Sequence, residues 1–290
     1  MECIIGKTAG FCYGVENAVS KTIKVLEENK SNKVYCIGEI VHNGEVVKRL
    51  KNLGLTVIES VDDLEYSEDF NNKVIIRAHG VSKDVYKKLE ELNYECLDLT
   101  CPNVLGIHSV AKHFVSQDKY IFLMGQKKHP EIIGIYSWCK EQSSIIETEE
   151  DIEVALEEYK LSGKREAIII TQTTFSLAKF NEFSDIIKEK IEVEVKNTIC
   201  NATRKRQDET EKMAKEVECM IIIGGVNSSN TKKLFEISKK YTDAILIETV
   251  KDLDKSSLNK YKKIGVMAGA STPKKSIDDV INIFGAPNQN

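Results

Sequence analysis

From end to end the chain alternates short apolar runs with longer amphipathic stretches, and only four prolines interrupt it. A strand buried on both faces reads as a continuous apolar run, and the helix that crosses back over it reads as an apolar stripe. The alternation therefore predicts an α/β protein with mainly parallel sheets. Expected strands are 3–5, 34–38, 74–76, 120–124, 167–170, 219–223, 244–247 and 264–267, each running into small or polar residues. Expected helices include 45–53, 83–92, 180–190 and 232–239, with apolar residues at three- and four-residue steps. No Pro- or Ser-rich tether separates them, so domains must abut.

Eight cysteines are the unusual feature of the composition. No Cys-x-x-Cys occurs, which removes zinc ribbons, thioredoxin-like redox motifs and close-spaced ferredoxin runs. Three of the eight share a context. Gly10-Phe11-Cys12-Tyr13-Gly14-Val15 leads into an amphipathic segment with Val15, Val19, Ile23 and Leu26 on one stripe. Leu99-Thr100-Cys101-Pro102 leads into another with Val104, Ile107, Ala111 and Phe114, and Pro102 suits a first helical position. Thr198-Ile199-Cys200-Asn201 leads into a third, more charged stretch. The spacing predicts three similar α/β units: 1–100, 101–196 and 197–282, with a tail at 283–290.

A thiol at a helix start feels the positive end of the helix dipole and ionises readily. Cys12, Cys101 and Cys200 together would hold one metal centre and leave a position open. On residue type alone they are equally open to reading as buried small hydrophobes. The donor set also leaves open an iron-sulfur enzyme, a zinc enzyme acting on a phosphorylated metabolite, or a non-catalytic cluster-bearing sensor. Cys3, Cys36, Cys96, Cys139 and Cys219 lie in or beside apolar runs and are expected in the core.

Charge narrows the partners. Lys and Arg number 41 against 45 Asp and Glu, a net charge of -4, with no basic block of the kind a nucleic acid requires. Only Arg49, Arg77, Arg165, Arg204 and Arg206 are arginines, so a bound phosphate must be held largely without guanidinium forks. No apolar run approaches the roughly eighteen residues of a membrane span, and the N-terminus lacks a secretory pattern, so a cytoplasmic address is expected.

Three of the five histidines follow expected strands, where ligands bind in open α/β sheets: His42, His79 and His129. His108 and His113 fall inside an expected helix and read as structural. The loops Gly224-Gly225-Val226-Asn227-Ser228-Ser229-Asn230-Thr231, Gly269-Ala270-Ser271-Thr272-Pro273 and Thr171-Gln172-Thr173-Thr174 also follow strands. Their backbone N–H groups and hydroxyls suit a small diphosphate, although each also reads as an ordinary helix cap. Glu131 lies just after a strand end rather than on a helix face. Burial would raise its pKa and make it a proton donor.

These motifs, joined by Gly38-Glu39-Ile40-Val41-His42-Asn43, Arg77-Ala78-His79-Gly80-Val81, His129-Pro130-Glu131 and Phe175-Ser176, run in order from residue 10 to 273. In that order they resemble the 4-hydroxy-3-methylbut-2-enyl diphosphate reductase family. The resemblance implies a pseudo-threefold trefoil of three α/β units around one 4Fe-4S cluster per chain. Its ligands would be Cys12, Cys101 and Cys200, with the fourth iron open to the substrate hydroxyl. It implies diphosphate binding by His42, His79, Ser228, Asn230 and Ser271, with His129 and Ser229 close by. Proton delivery would fall to Glu131, assisted by Thr173 and His129. Two electrons from ferredoxin or flavodoxin and two protons would convert the allylic alcohol into isopentenyl and dimethylallyl diphosphates. Local departures from the family pattern are Asn103, Met267 and the Gln126-Lys127-Lys128 approach to His129.

Overall fold

The computed structural model describes residues 1–285. Its chain runs β1 (Glu2–Ile5), α1 (Tyr13–Glu28), β2 (Val34–Ile37), α2 (Gly44–Asn52), β3 (Leu55–Ile58), β4 (Lys73–Ile76), α3 (Lys83–Glu91) and β5 (Glu95–Asp98). It continues through α4 (Pro102–Ser116), β6 (Tyr120–Met124), α5 (Pro130–Tyr136), β7 (Ser143–Ile146), α6 (Glu150–Ser162), β8 (Ala167–Thr171), α7 (Leu177–Lys188) and β9 (Glu194–Val195). It ends with α8 (Asn201–Ala214), β10 (Cys219–Ile223), α9 (Ser229–Ser238), β11 (Asp243–Ile247), β12 (Lys263–Ala268) and α10 (Lys274–Ile281). Among the described residues no helix is long and apolar enough to cross a membrane.

The strands form three four-stranded sheets, parallel throughout, in the orders β3-β2-β4-β5, β7-β6-β8-β9 and β1-β12-β10-β11. The first two read second, first, third, fourth in chain order. The third repeats the scheme as β11-β10-β12 and takes its fourth strand, β1, from the opposite end of the chain. Of the stretch 1–100 expected as a first unit, residues 2–5 thus pair with β12, while β2 to β5 form their own sheet. Of the expected tail, 283–284 complete a short 3-10 turn after α10, and 286–290 lie outside the described residues.

Two compact units contain these sheets. One comprises residues 1–16, 41–49 and the chain from 201 onward, and holds the β1-β12-β10-β11 sheet; the other comprises 17–40 and 50–200 and holds the remaining two. In β6 the period of two splits the burial. Tyr120, Phe122 and Met124 pack with Ile152, Leu156, Phe180 and Phe183 of α6 and α7, while Ile121 and Leu123 pack with Ile107, Phe114, Ile132 and Ile135 of α4 and α5. In β10, Cys219, Ile221 and Ile223 face the α10 side with Ile277 and Val280, and Met220 and Ile222 face Met213 of α8 and Leu234 of α9. Met267 occupies that second cluster, where a side chain on Gly6 would collide with its sulfur.

Burial also sorts the remaining thiols. Cys36, Cys139 and Cys219 are buried as expected, whereas Cys3 is half-buried and Cys96 is exposed. Cys96 lies on β5, an edge strand whose residues alternate between half-buried and exposed, so its apolar neighbourhood in sequence does not become a core position.

Candidate functional site

In a sheet of order second-first-third-fourth, the chain leaves the first and third strands in opposite directions, and the crevice beyond their carboxyl ends is where ligands bind. The loops after those strands carry the residues singled out above. His42 follows β2 and His79 follows β4; His129 and Glu131 follow β6 and Thr173 follows β8; Ser228, Ser229 and Asn230 follow β10 and Ser271 follows β12. The fourth strand of each sheet is followed by a cysteine and a helix: β5, Cys101 and α4; β9, Cys200 and α8; β1, Cys12 and α1.

In the unit of 17–40 and 50–200, the geometry centres on Glu131. It is the second residue of α5, so it stands on a helix rather than in a loop, yet only 1% of its surface is exposed. One carboxylate oxygen accepts the Thr173 N–H at 2.6 Å and the other accepts the Thr173 hydroxyl at 2.7 Å. Burial pushes the carboxyl up to about 7, against the downward pull of the two Thr173 hydrogen bonds. His129 caps the same helix: its Nδ1 accepts the Glu131 N–H at 3.2 Å, which leaves the Nε2 of the neutral ring as donor. The His79 ring meets His129 edge-on, with centroids 5.4 Å apart.

Two cysteines join this group through backbone bonds. The Cys200 N–H donates to the Thr173 carbonyl at 3.1 Å, and the Cys101 N–H donates to Ala78, beside His79, at 3.0 Å. The Cys200 segment is held by Thr198, whose hydroxyl accepts from the Thr171 N–H at 2.7 Å and donates to the Thr171 carbonyl at 2.5 Å. This side-chain clasp continues the pairing after the two-residue strand β9 ends.

In the unit that contains residues 1–16, 41–49 and 201 onward, Cys12 donates its N–H to the Ala270 carbonyl at 3.2 Å. The next residue, Ser271, bonds the His42 carbonyl through its hydroxyl at 3.1 Å. Gly225 approaches that same carbonyl so closely that a Cβ would lie 2.5 Å from the oxygen, so only glycine fits there. Ser228 caps α9 by accepting the Thr231 N–H at 3.3 Å. Asn230, on the first turn of α9, is 3% exposed, and neither its amide oxygen nor its amide nitrogen has a protein partner. A buried amide left unpaired is costly, and its donor and acceptor remain available to a bound polar group.

The chemistry of the thiols separates the candidates. Burial pushes Cys36 up to about 12, and Cys139 and Cys219 up to about 11, making them reluctant thiolates. Cys12, Cys101 and Cys200 are half-buried and outside any disulfide, each directly before a helix. Partly accessible thiols before helix starts are of the chemical kind that ligates iron or zinc.

Two residues outside the candidate set pack around the His79 and His129 loops. Gln172 is fully buried, its Oε1 accepting the Gln126 N–H at 3.2 Å, and so steadies the loop before His129. That loop is also tied by Lys127, whose N–H reaches Glu147 at 2.9 Å and whose ammonium reaches Asp151 at 2.5 Å. His108 is buried against the His79 loop and α5: side chains on Gly80 and Gly134 would meet its ring at 3.2 and 3.3 Å. Desolvation, assisted by Lys112, lowers its pKa to about 4, so it packs as a neutral ring. In sequence Gln172 stands only as a member of the 171–174 loop after an apolar run, and His108 reads as structural, in keeping with its packing.

The chain is similar to known proteins over nearly its whole length. Residues 3–284 match the family described as LytB protein. The chain is 39% identical, over 97% of its length and 98% of the relative's, to 4-hydroxy-3-methylbut-2-enyl diphosphate reductase of Alkaliphilus oremlandii. It is similar to a solved structure of (E)-4-hydroxy-3-methyl-but-2-enyl diphosphate reductase, described as the terminal enzyme of the non-mevalonate pathway, at 36% identity and a TM-score of 0.70 over 98% of this chain and 99% of that one. Against the E-1-hydroxy-2-methyl-but-2-enyl-4-diphosphate reductase of Plasmodium falciparum the TM-score is 0.89 at 28% identity, covering 99% of this chain and 89% of that one.

Proposed function

The chain belongs to the LytB protein family, and from that premise we propose that it is a reductase that removes the hydroxyl of 4-hydroxy-3-methylbut-2-enyl diphosphate. The observation that carries the reading is the buried carboxyl of Glu131, bonded to Thr173 at both oxygens, with the Thr173 carbonyl holding Cys200. A proton donor is thereby fixed to the segment that bears a metal-type thiol.

In this reading Cys12, Cys101 and Cys200 hold a 4Fe-4S cluster. When bound, the cluster supplies electrons and a Lewis-acidic iron. His42, His79, Ser228, Asn230 and Ser271 hold the diphosphate, with His129 and Ser229 beside it. These are mainly neutral donors, in keeping with the scarcity of arginine. Glu131, protonated below about pH 7, gives its proton to the departing hydroxyl, which leaves as water. Thr173 fixes the carboxyl's orientation, and His129 holds the backbone of the same helix turn. Two electrons from a ferredoxin or flavodoxin and two protons balance the change of the C–OH bond to C–H plus water. The products are isopentenyl and dimethylallyl diphosphates.

The same reading divides the chain into units near residues 100 and 196, with Cys101 and Cys200 opening the second and third, and places the protein in the cytoplasm. The test is preparation without oxygen. About four irons and four sulfides per chain are expected, together with formation of the two dehydroxylated diphosphates on addition of reductant and substrate. Stoichiometric zinc, or substrate recovered unchanged, overturns the proposal.

A further inference from the structure

A reductase must be supplied with electrons, and this chain carries no dinucleotide fingerprint: no two of its sixteen glycines stand two residues apart, so Gly-x-Gly-x-x-Gly is impossible. The carrier must come from outside and find the protein by its surface.

A cleft of about 330 Å³ opens between residues 7–11 and the start of α8, lined by Lys7, Thr8, Phe11, Asn201, Lys205 and Arg206. Its two ends are chain neighbours of two proposed ligands, since Phe11 precedes Cys12 and Asn201 follows Cys200. The walls are stitched together. Glu209 accepts the Lys7 and Thr8 N–H groups at 2.6 and 2.9 Å, and the buried Arg206 donates to the Gly10 carbonyl at 2.5 Å and to Ala202 at 3.3 Å.

The charge of this cleft opposes that of the molecule. The chain carries -4 overall, yet two of its five arginines and a lysine fall consecutively at Arg204-Lys205-Arg206. They occupy the first turns of α8, which has no acid in its first turn, and there the helix dipole disfavours cations. Lys7 and Lys205 are exposed, and among the described residues no carboxylate pairs with either ammonium. Tyr13, directly after Cys12, leaves 75% of its surface in solvent. Aromatic and arginine side chains are the residue types enriched where proteins dock.

We propose that the Lys7–Lys205 cleft, with the exposed Tyr13 two residues beyond its Phe11, is the docking surface for an acidic one-electron carrier protein. The proposal rests on the reductase reading. Each docked carrier gives up one electron and departs oxidised; two such visits, with two protons, turn one substrate C–OH into C–H and release one water. The unpaired ammonium groups steer and orient the encounter, a contribution that salt screens.

The test compares wild type, Lys7→Glu/Lys205→Glu and Lys7→Gln/Lys205→Gln, all as anaerobically prepared holoprotein, titrated calorimetrically with an acidic bacterial ferredoxin at low and high salt. Wild-type Kd is expected to rise steeply with salt. At low salt the charge-reversed variant should bind at least about tenfold more weakly, with a flattened salt dependence, and the neutral variant should fall between. Turnover with reduced viologen, which needs no protein docking, should stay within about twofold of wild type in both variants. Equal Kd values for wild type and the charge-reversed variant, or salt-independent binding by wild type, overturn the docking proposal. Absence of viologen turnover in the wild type instead overturns the reductase reading, while the titration still decides the surface.

Discussion

Glu131 titrates near neutrality because it is wholly buried, and the two Thr173 hydrogen bonds only partly offset that burial. As the acid form does the work, turnover should fall as pH rises through about 7, and Glu131→Gln should abolish that limb and lower turnover at least about a hundredfold. Unchanged turnover in the variant would remove Glu131 from the mechanism. The Thr173 bonds lower the carboxyl pKa, so Thr173→Val should move the limb to higher pH, which a kcat–pH profile reads directly; a move to lower pH would contradict the account. Stability follows the same sign. A carboxyl raised in the folded state loses stability as pH climbs from its unfolded value near 4.5 through 7, so Glu131→Gln should gain in Tm relative to wild type over that interval. At this scale the residue types at the candidate site were legible, because cysteine, histidine and small hydroxyl residues stand out against a lysine- and glutamate-rich chain. Local setting was less so: Glu131 reads as lying off a helix in sequence and Cys96 as a core thiol, whereas Glu131 opens α5 and Cys96 is exposed.

Eight strands were legible as apolar runs, and four were not: β3, β5, β7 and β9. All four are edge strands of the two sheets of residues 34–98 and 120–195. An edge strand is covered less completely and admits polar residues, as Glu95 and Asp98 in β5 and the two serines opening β7 illustrate, so its apolar run is broken. The short helices α5 and α10 escaped for a different reason, being too brief to show a full apolar period. The loops that join these elements impose the tightest steric demand. Gly225→Ala would drive a methyl group into the His42 carbonyl, and backbone on both sides leaves little room to yield. The expected result is a loss of about 1–3 kcal/mol in denaturant unfolding, the range for overpacking, with weaker substrate binding. Cys139→Ser, on a buried thiol that bonds Ile135, should retain full iron content, whereas serine at Cys12, Cys101 or Cys200 should lose it.

For the whole molecule, the threefold repeat was legible from the spacing of three cysteines, but its closure was not. Sequence order assigns residues 2–5 to the first repeat, whereas hydrogen bonding gives them to the sheet of the last. Pairing between chain ends leaves no local pattern to read, because β1 looks the same beside any apolar neighbour. Removing residues 1–5 should expose the apolar edge of β12, a template for association, and lower both Tm and solubility. The recurring order of strands places each cysteine after a fourth strand and each polar loop after a first or third, so one topological scheme repeated three times generates every proposed ligand. The most direct test of that assignment is anaerobic oxidation of reduced viologen by the iron-loaded protein. The account predicts oxidation that depends on 4-hydroxy-3-methylbut-2-enyl diphosphate and on Glu131, consuming two one-electron equivalents for each hydroxyl lost. Oxidation that proceeds equally without the substrate, or no oxidation with it, would contradict the account.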